Sequence, residues 1–183
     1  MKLKSTDIAY AAISGAVYAV LTFAIAPIAY GPIQLRLTEA LCILPFFFPV
    51  TAWGLFIGCA ISNLMSSAGV LDVVFGSLAT LIAALLTARI GKPYREGENL
   101  EKSFSFFRCV AACCMPILVN VPIVGSVLAY MYSAPGSFWT TFMFFMGEVA
   151  LGETAVMLTL GLAFMRILPR LEIIKRIPER RKR

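Results

Sequence analysis

The sequence predicts an all-α integral membrane protein, a bundle of six transmembrane helices, and three observations lead to this fold class. Of the 183 residues, 60% are hydrophobic and only 14% are charged, whereas soluble domains are about 45–50% apolar and about 25% charged. The mean hydropathy of +0.84 agrees with this contrast. Six spans of about 20 residues would use about 120 residues, which is close to the number of apolar residues. We therefore expect one membrane domain over residues 1–183 and no separate soluble domain.

Intervals without charged residues, broken by Pro, Gly and Ser, delimit the predicted spans. The uncharged interval 40–71 is too long for one crossing, because a helix of its 32 residues would measure about 48 Å against a hydrocarbon core of about 30 Å. Pro45 and Pro49 divide this interval into two spans, and Pro169 ends the last helix. The predicted spans are residues 8–26, 38–49, 52–66, 72–90, 106–131 and 138–166.

The Lys and Arg residues set the orientation of these spans. All of them except Arg36 lie before the first span, at 89–108 between the fourth and fifth spans, or at 166–183 after the sixth. Because cytoplasmic segments carry the excess of positive charge, six spans predict that both termini are cytoplasmic and that the chain lies in the cell membrane. The basic tail at 170–183 then sets orientation or meets anionic lipid, so nucleic acid is not expected as a partner.

Several kinds of chemistry find no support in the sequence. It contains no His, no G-x-x-x-x-G-K-[ST] loop for ATP, no H-E-x-x-H, no G-x-S-x-G and no Asp cluster suited to a metal ion. The five cysteines lie in apolar runs and are expected to be free thiols that behave as small apolar residues. We therefore expect neither an enzyme nor a metal ion or cofactor, and the sequence favours binding over catalysis.

Polar side chains inside the predicted spans are the candidate functional residues, because ionisable groups in a membrane are costly and usually face a cavity or one another. Glu39 and Asp72 begin spans that enter from the outer side, and Glu148 lies about 15 Å below the outer surface. The candidate ligand-binding residues are Arg36, Glu39, Asn63, Asp72, Asn120 and Glu148, with Glu153 deeper in the last span.

Structural explanations compete with a functional one for some of these residues. Asp72 also fits a helix N-cap, and Asn63 and Asn120 also fit hydrogen bonds between helices. Glu148 is harder to explain in this way, because no cation is predicted at its depth. Together the residues predict a pocket in the outer half of the membrane for a polar, cationic solute that offers an ammonium and an amidine-like N–H edge.

Small residues in the first span form a second pattern. Ala12 and Ala16 are four residues apart and lie on one helix face, which allows another helix to approach closely. The spacing indicates either internal packing or a surface for a partner.

Several segments, in their order along the chain, resemble the QueT family, and the resemblance runs from about residue 8 to residue 166. They are GPIQLR at 31–36, TEAL at 38–41, GLFIGC at 54–59, DVVFGSLATL at 72–81, PIVG at 122–125 and Gly147-Glu148. This family comprises substrate-binding S-components of energy-coupling factor (ECF) transporters, a branch of the ABC transporters. The resemblance implies a ligand such as 7-aminomethyl-7-deazaguanine, a precursor of queuosine, and as partners a transmembrane coupling subunit and two ATPase subunits. It also implies that Ala12 and Ala16 dock on the coupling subunit.

The implied ligand assigns roles to the candidate residues. Glu148 is expected to meet either the base edge or the ammonium, and Glu39 or Asp72 the other. Arg36 is expected to contact a carbonyl oxygen of the ligand or to lock the outer loop through Glu39. Asn63 and Asn120 are expected to complete the hydrogen bonds to the base.

Another function class is also compatible with the buried acids. A self-sufficient, proton-coupled carrier would use Glu148 and Glu153 as a proton relay. Uptake without ATPase subunits distinguishes this alternative from an S-component.

Overall fold

The computed structural model describes residues 4–29, 35–97, 104–172, 174 and 177. All regular structure within these ranges is helical and no strand occurs in them, so the predicted all-α class is confirmed for the described chain. The six main helical segments are α1 (Ser5–Ala24), α2 (Leu37–Phe47), α3 (Thr51–Met65), α4 (Gly69–Ile90), α5 (Phe106–Tyr132) and α6 (Phe138–Arg170). Single turns at Ala26–Ala29 and Lys92–Arg95 follow α1 and α4.

Four of these helices are long and apolar enough to cross a membrane. α1, α4, α5 and α6 have 20, 22, 27 and 33 residues respectively, and about 20 apolar residues suffice for a crossing. α2 and α3 are apolar but shorter. Length and composition therefore identify four candidate spans, and the predicted number of six depends on α2 and α3.

The short helix α2 lies at the centre of the bundle and packs against all five other main helices. It begins as a 3₁₀-helix, Leu37–Ile43, and ends with an α-helical turn, Leu44–Phe47. Pro45 fits the first turn of that α-helical segment, where its missing N–H breaks no hydrogen bond. Because α2 is enclosed by the other helices, polar residues on it are removed from both lipid and water.

Glycines allow α1 and α3 to cross with their backbones in contact. A Cβ on Gly54 would overlap the carbonyl of Ala11, and a Cβ on Gly15 or Gly58 would overlap a backbone carbonyl of the other helix. Small residues permit this close packing between membrane helices, where van der Waals contact provides much of the attraction.

Two prolines interrupt the hydrogen bonding of α5. Pro116 has no N–H to donate to the carbonyl of Ala112, and the Thr87 hydroxyl of α4 donates to that carbonyl instead, at 3.3 Å. A side chain of α4 thus satisfies a backbone group that the proline leaves available, and the bond links the two long helices.

An aromatic cluster fixes the C-terminal end of α2 against the connector after α4. Phe46 and Phe47 contact the rings of Tyr94 and Phe104. The Arg95 guanidinium donates to the carbonyl of Phe46 at 2.6 Å. These contacts hold α2 in the interior, with its N-terminal half directed to the polar residues of the candidate site.

Candidate functional site

A buried ion pair joins the start of α2 to α4. Arg36 precedes α2 and its side chain is 6% exposed, while Asp72 of α4 is 1% exposed, and the Arg36 Nη2 atom lies 2.9 Å from the Asp72 Oδ2 atom. Asp72 is thus neither a simple N-cap nor an isolated charge. Truncating one partner of such a pair leaves a buried charge without compensation, which costs about 3–5 kcal/mol.

Asp72 is held from a second side by α3. The Asn63 side-chain amide donates to the backbone carbonyl of Asp72 at 2.9 Å. Asp72 begins a π-helical turn, Asp72–Gly76, and Gly76 lies so close that a Cβ there would overlap the Asp72 carboxylate and the Asn63 amide. The other carboxylate oxygen, Oδ1, has no hydrogen-bond partner within the described ranges.

Glu39 lies in the middle of a hydrogen-bonded group that we call the Glu39 network. The Tyr18 hydroxyl donates to Glu39 Oε1 at 2.5 Å and the Thr80 hydroxyl donates to the same oxygen at 3.3 Å. The Cys42 thiol donates to Oε2 at 3.1 Å. Glu39 is fully buried, and both of its oxygens therefore have donors from the protein itself. The Glu39 network consists of Tyr18, Glu39, Cys42 and Thr80, together with Cys59, which contacts the Thr80 hydroxyl.

Cys59 connects this network to the residues around Asp72. Its sulfur is 3.3 Å from the Thr80 hydroxyl and 3.5 Å from the side-chain nitrogen of Asn63. Cys42 and Cys59 thus take part in polar contacts, which corrects the expectation that the cysteines are merely small apolar residues. All five cysteines are free thiols, as expected.

A separate polar pair lies between α5 and α6. The Asn120 amide donates to Glu153 Oε1 at 2.8 Å, and the two residues are 2% and 4% exposed. Asn120 Oδ1 and Glu153 Oε2 have no hydrogen-bond partner in the part of the chain that the structure describes. The Glu153 carboxylate is within electrostatic reach of Glu39 and Arg36, so the pair belongs to the same polar interior.

Glu148 is placed differently from the other predicted site residues. Its side chain is only partly buried on α6. Over the described ranges it makes no hydrogen bond or ion pair with the other predicted residues. The structure thus brings Arg36, Asn63 and Asp72 into contact, places Glu39 and Asn120 in adjoining polar groups, and leaves Glu148 outside them.

Some polar residues of this interior were not among the predicted site residues. Tyr18 and Thr80 lie in apolar helices, where one hydroxyl gives little signal in a sequence. Glu153 was recognised as a deep carboxylate, but its pairing with Asn120, 33 positions away, depends on how α5 packs against α6. Of these three residues, only Glu153 could have been identified from the sequence as a candidate site residue, because an acid deep in a predicted span is unusual.

The surface of the described chain includes an apolar groove near the candidate site and another between α1 and α3. One, of about 650 Å³, runs between α4 and α5 beside the α4 turn that carries Asp72, and its walls include Phe75, Pro122 and Tyr130. The other, of about 410 Å³, lies between α1 and α3 and contains both Ala12 and Ala16, with Trp53 and Ile57 on the opposite wall. Ala12 and Ala16 are therefore exposed in a groove rather than buried in internal packing.

Comparisons with known proteins agree on one family. Residues 8–170 match the family model described as QueT transporter. The chain is 34% identical over 160 residues to the queuosine precursor transporter QueT of Lactococcus lactis subsp. cremoris strain MG1363, covering 84% of this chain and 87% of that protein. No solved structure matches the chain. Its long apolar helices and this match identify a multi-pass membrane protein, and the chain belongs to the QueT transporter family.

Proposed function

We propose that the chain is the substrate-binding subunit, or S-component, of an ECF-type ABC importer and that it takes up a queuosine precursor such as 7-aminomethyl-7-deazaguanine. Membership of a transporter family supports a role in transport rather than catalysis. The name of the L. lactis relative supports the ligand class, since that protein is a queuosine precursor transporter.

The main support for this proposal is that the buried interior has more carboxyl groups than cationic groups. Among the described residues, the buried Asp, Glu, Lys and Arg side chains are three carboxylates, Glu39, Asp72 and Glu153, and one guanidinium, Arg36. Buried charges usually need partners of opposite sign. A ligand with an ammonium group and several N–H donors would supply the missing positive charge and hydrogen bonds.

The proposed site assigns the predicted residues to distinct tasks. Asp72 would meet the aminomethyl ammonium through Oδ1. Arg36 holds the other carboxylate oxygen, and Asn63 holds the backbone carbonyl of Asp72. Glu39 would contribute negative potential from the centre of the bundle, and Asn120 would bond the base. That Glu148 contacts the ligand stays a prediction.

The proposed arrangement in the cell membrane has six crossings and cytoplasmic termini, within one domain. Four long helices, together with α2 and α3, supply the required segments. The three groups of Lys and Arg residues support this orientation through the positive-inside rule.

The proposed partners are a transmembrane coupling subunit and two ATPase subunits. The groove between α1 and α3 supports the position of the docking surface, because Ala12 and Ala16 leave space there for a helix of the coupling subunit.

Uptake into proteoliposomes tests this function against the proton-coupled alternative. We expect labelled 7-aminomethyl-7-deazaguanine to enter when the chain is reconstituted with the coupling subunit, both ATPases and ATP, and not when a non-hydrolysable ATP analogue replaces ATP. Uptake by the chain alone under an imposed proton gradient would contradict the proposal and favour the carrier.

A further inference from the structure

The Asn120–Glu153 pair has more hydrogen-bonding capacity than the described protein uses. We propose that Glu153, positioned by Asn120, is the carboxylate that reads the 2-amino N–H edge of a guanine-type nucleobase. The inference rests on the proposed function for the existence and class of the ligand, and it gives Glu153 a role in ligand specificity that the sequence did not assign to it.

The hydrogen bond within the pair leaves acceptor oxygens of both side chains available to a ligand. Asn120 donates to Glu153 Oε1 at 2.8 Å, which helps to orient the carboxylate. An ionised carboxylate has about four acceptor positions on its two oxygens. Glu153 Oε2 and Asn120 Oδ1 have no donor among the residues that the structure describes, although both side chains are at least nine-tenths buried. Such buried acceptors are costly unless a donor reaches them.

The other two buried carboxylates are less suited to this role. Glu39 already accepts hydrogen bonds from Tyr18, Thr80 and Cys42, on both of its oxygens. Asp72 uses one oxygen for the Arg36 guanidinium. The described residues give Glu153 only the neutral amide of Asn120 as a hydrogen-bond donor, so its carboxylate can receive a planar pair of N–H groups.

The chemistry of a guanine-type edge matches these acceptors. Its ring N–H and exocyclic amine present two parallel N–H donors, which a carboxylate accepts in a bidentate manner. The second N–H of the amine then has Asn120 Oδ1 as an acceptor. A base without the 2-amino group would leave buried acceptors without donors, and sites of this kind reject such analogues strongly.

The test compares two ligands that differ at one position, with the full-length chain in lipid nanodiscs. The ligands are 7-aminomethyl-7-deazaguanine and the same compound with hydrogen in place of the 2-amino group. Isothermal titration should show that the wild-type protein prefers the first by at least about tenfold. E153Q should reduce this preference to less than about threefold, because the Gln amide replaces an acceptor with a donor.

Thr159→Val is the control on the same helix, since Thr159 is exposed and, among the described residues, bonds only to backbone carbonyls of its own helix. It should keep the wild-type preference.

If E153Q does not fold, Asn120→Ala provides a second test, because it removes the acceptor atom Asn120 Oδ1. This variant should reduce the preference for the 2-amino ligand at least about threefold. A wild-type preference retained in a folded E153Q or N120A protein would overturn the inference, as would a wild-type protein that binds both ligands equally. A wild-type protein that binds neither ligand would instead contradict the proposed function.

Discussion

At the scale of single residues, the ion pair at the start of α2 depends on a glycine. Gly76 lies against both the Asp72 carboxylate and the Asn63 amide, at the end of the π-helical turn that Asp72 begins. π-Turns within α-helices are frequent at functional sites. Here the turn and the glycine together leave room for a buried carboxylate beside its own helix.

Gly76→Ala should therefore destabilise the protein. The added methyl group would displace Asp72 or Asn63, and overpacking of this kind costs about 1–3 kcal/mol. Denaturant or thermal unfolding in a mild detergent measures the effect.

Gly147→Ala is the matched control for this substitution. Gly147 is a helical glycine whose Cβ would meet no described atom within 4 Å, so alanine there should leave stability unchanged or raise it by up to about 1 kcal/mol. Equal effects of the two substitutions would contradict the role assigned to Gly76.

The partners of the polar residues were harder to predict than the residues themselves. Arg36 and Asp72 are recognisable because charge is rare in this chain, but they are 36 positions apart and their pairing depends on the placement of α2. For Arg36 the sequence left open a ligand carbonyl or Glu39, and the structure pairs it with Asp72.

At the scale of elements, α1 and α3 form both an internal contact and an exposed groove. Gly15 and Gly54 make the contact, while Ala12 and Ala16 lie in the groove. The sequence left open whether the small residues of α1 serve internal packing or a partner surface. In the structure they serve both, because Gly15 packs against Gly54 and both glycines line the groove together with Ala12 and Ala16.

Ala16→Leu should interfere with assembly and leave ligand binding intact. The larger side chain would fill part of the groove in which we propose that a helix of the coupling subunit docks. We expect co-purification with the coupling subunit and ATP-driven uptake to fall at least tenfold, which corresponds to about 1.4 kcal/mol of lost association energy.

Ala155→Leu makes the same change at an exposed alanine of α6 and should assemble normally. Normal assembly of the Ala16→Leu protein would contradict the proposed docking surface, and loss of ligand affinity would show that the groove is not separate from the binding site.

The helical elements themselves were predictable from simple patterns. Long apolar intervals punctuated by Pro, Gly and charged residues indicate helices, because a backbone in lipid must satisfy its own hydrogen bonds. The 3₁₀ geometry of Leu37–Ile43 and its enclosure by all the other helices were not predictable. Both depend on tertiary packing rather than on local residue preference.

At the scale of the whole molecule, the distribution of polar and apolar side chains between interior and surface is reversed relative to a soluble protein. Large apolar side chains such as Phe107 and Leu151 are exposed, as expected for a surface that faces lipid. The interior instead contains three carboxylates and the groups that bond to them. An excess of buried carboxyl groups over buried cations has no evident benefit for folding alone, and it is explained if a cationic, N–H-rich ligand completes the interior.

Direct ligand binding by the isolated chain tests whether such a ligand completes the interior. The full-length protein in lipid nanodiscs, without coupling subunit, ATPases or ATP, is titrated calorimetrically with 7-aminomethyl-7-deazaguanine. We expect saturable one-to-one binding with which adenine does not compete. Absence of binding by a folded protein, or equal competition by adenine, would contradict it.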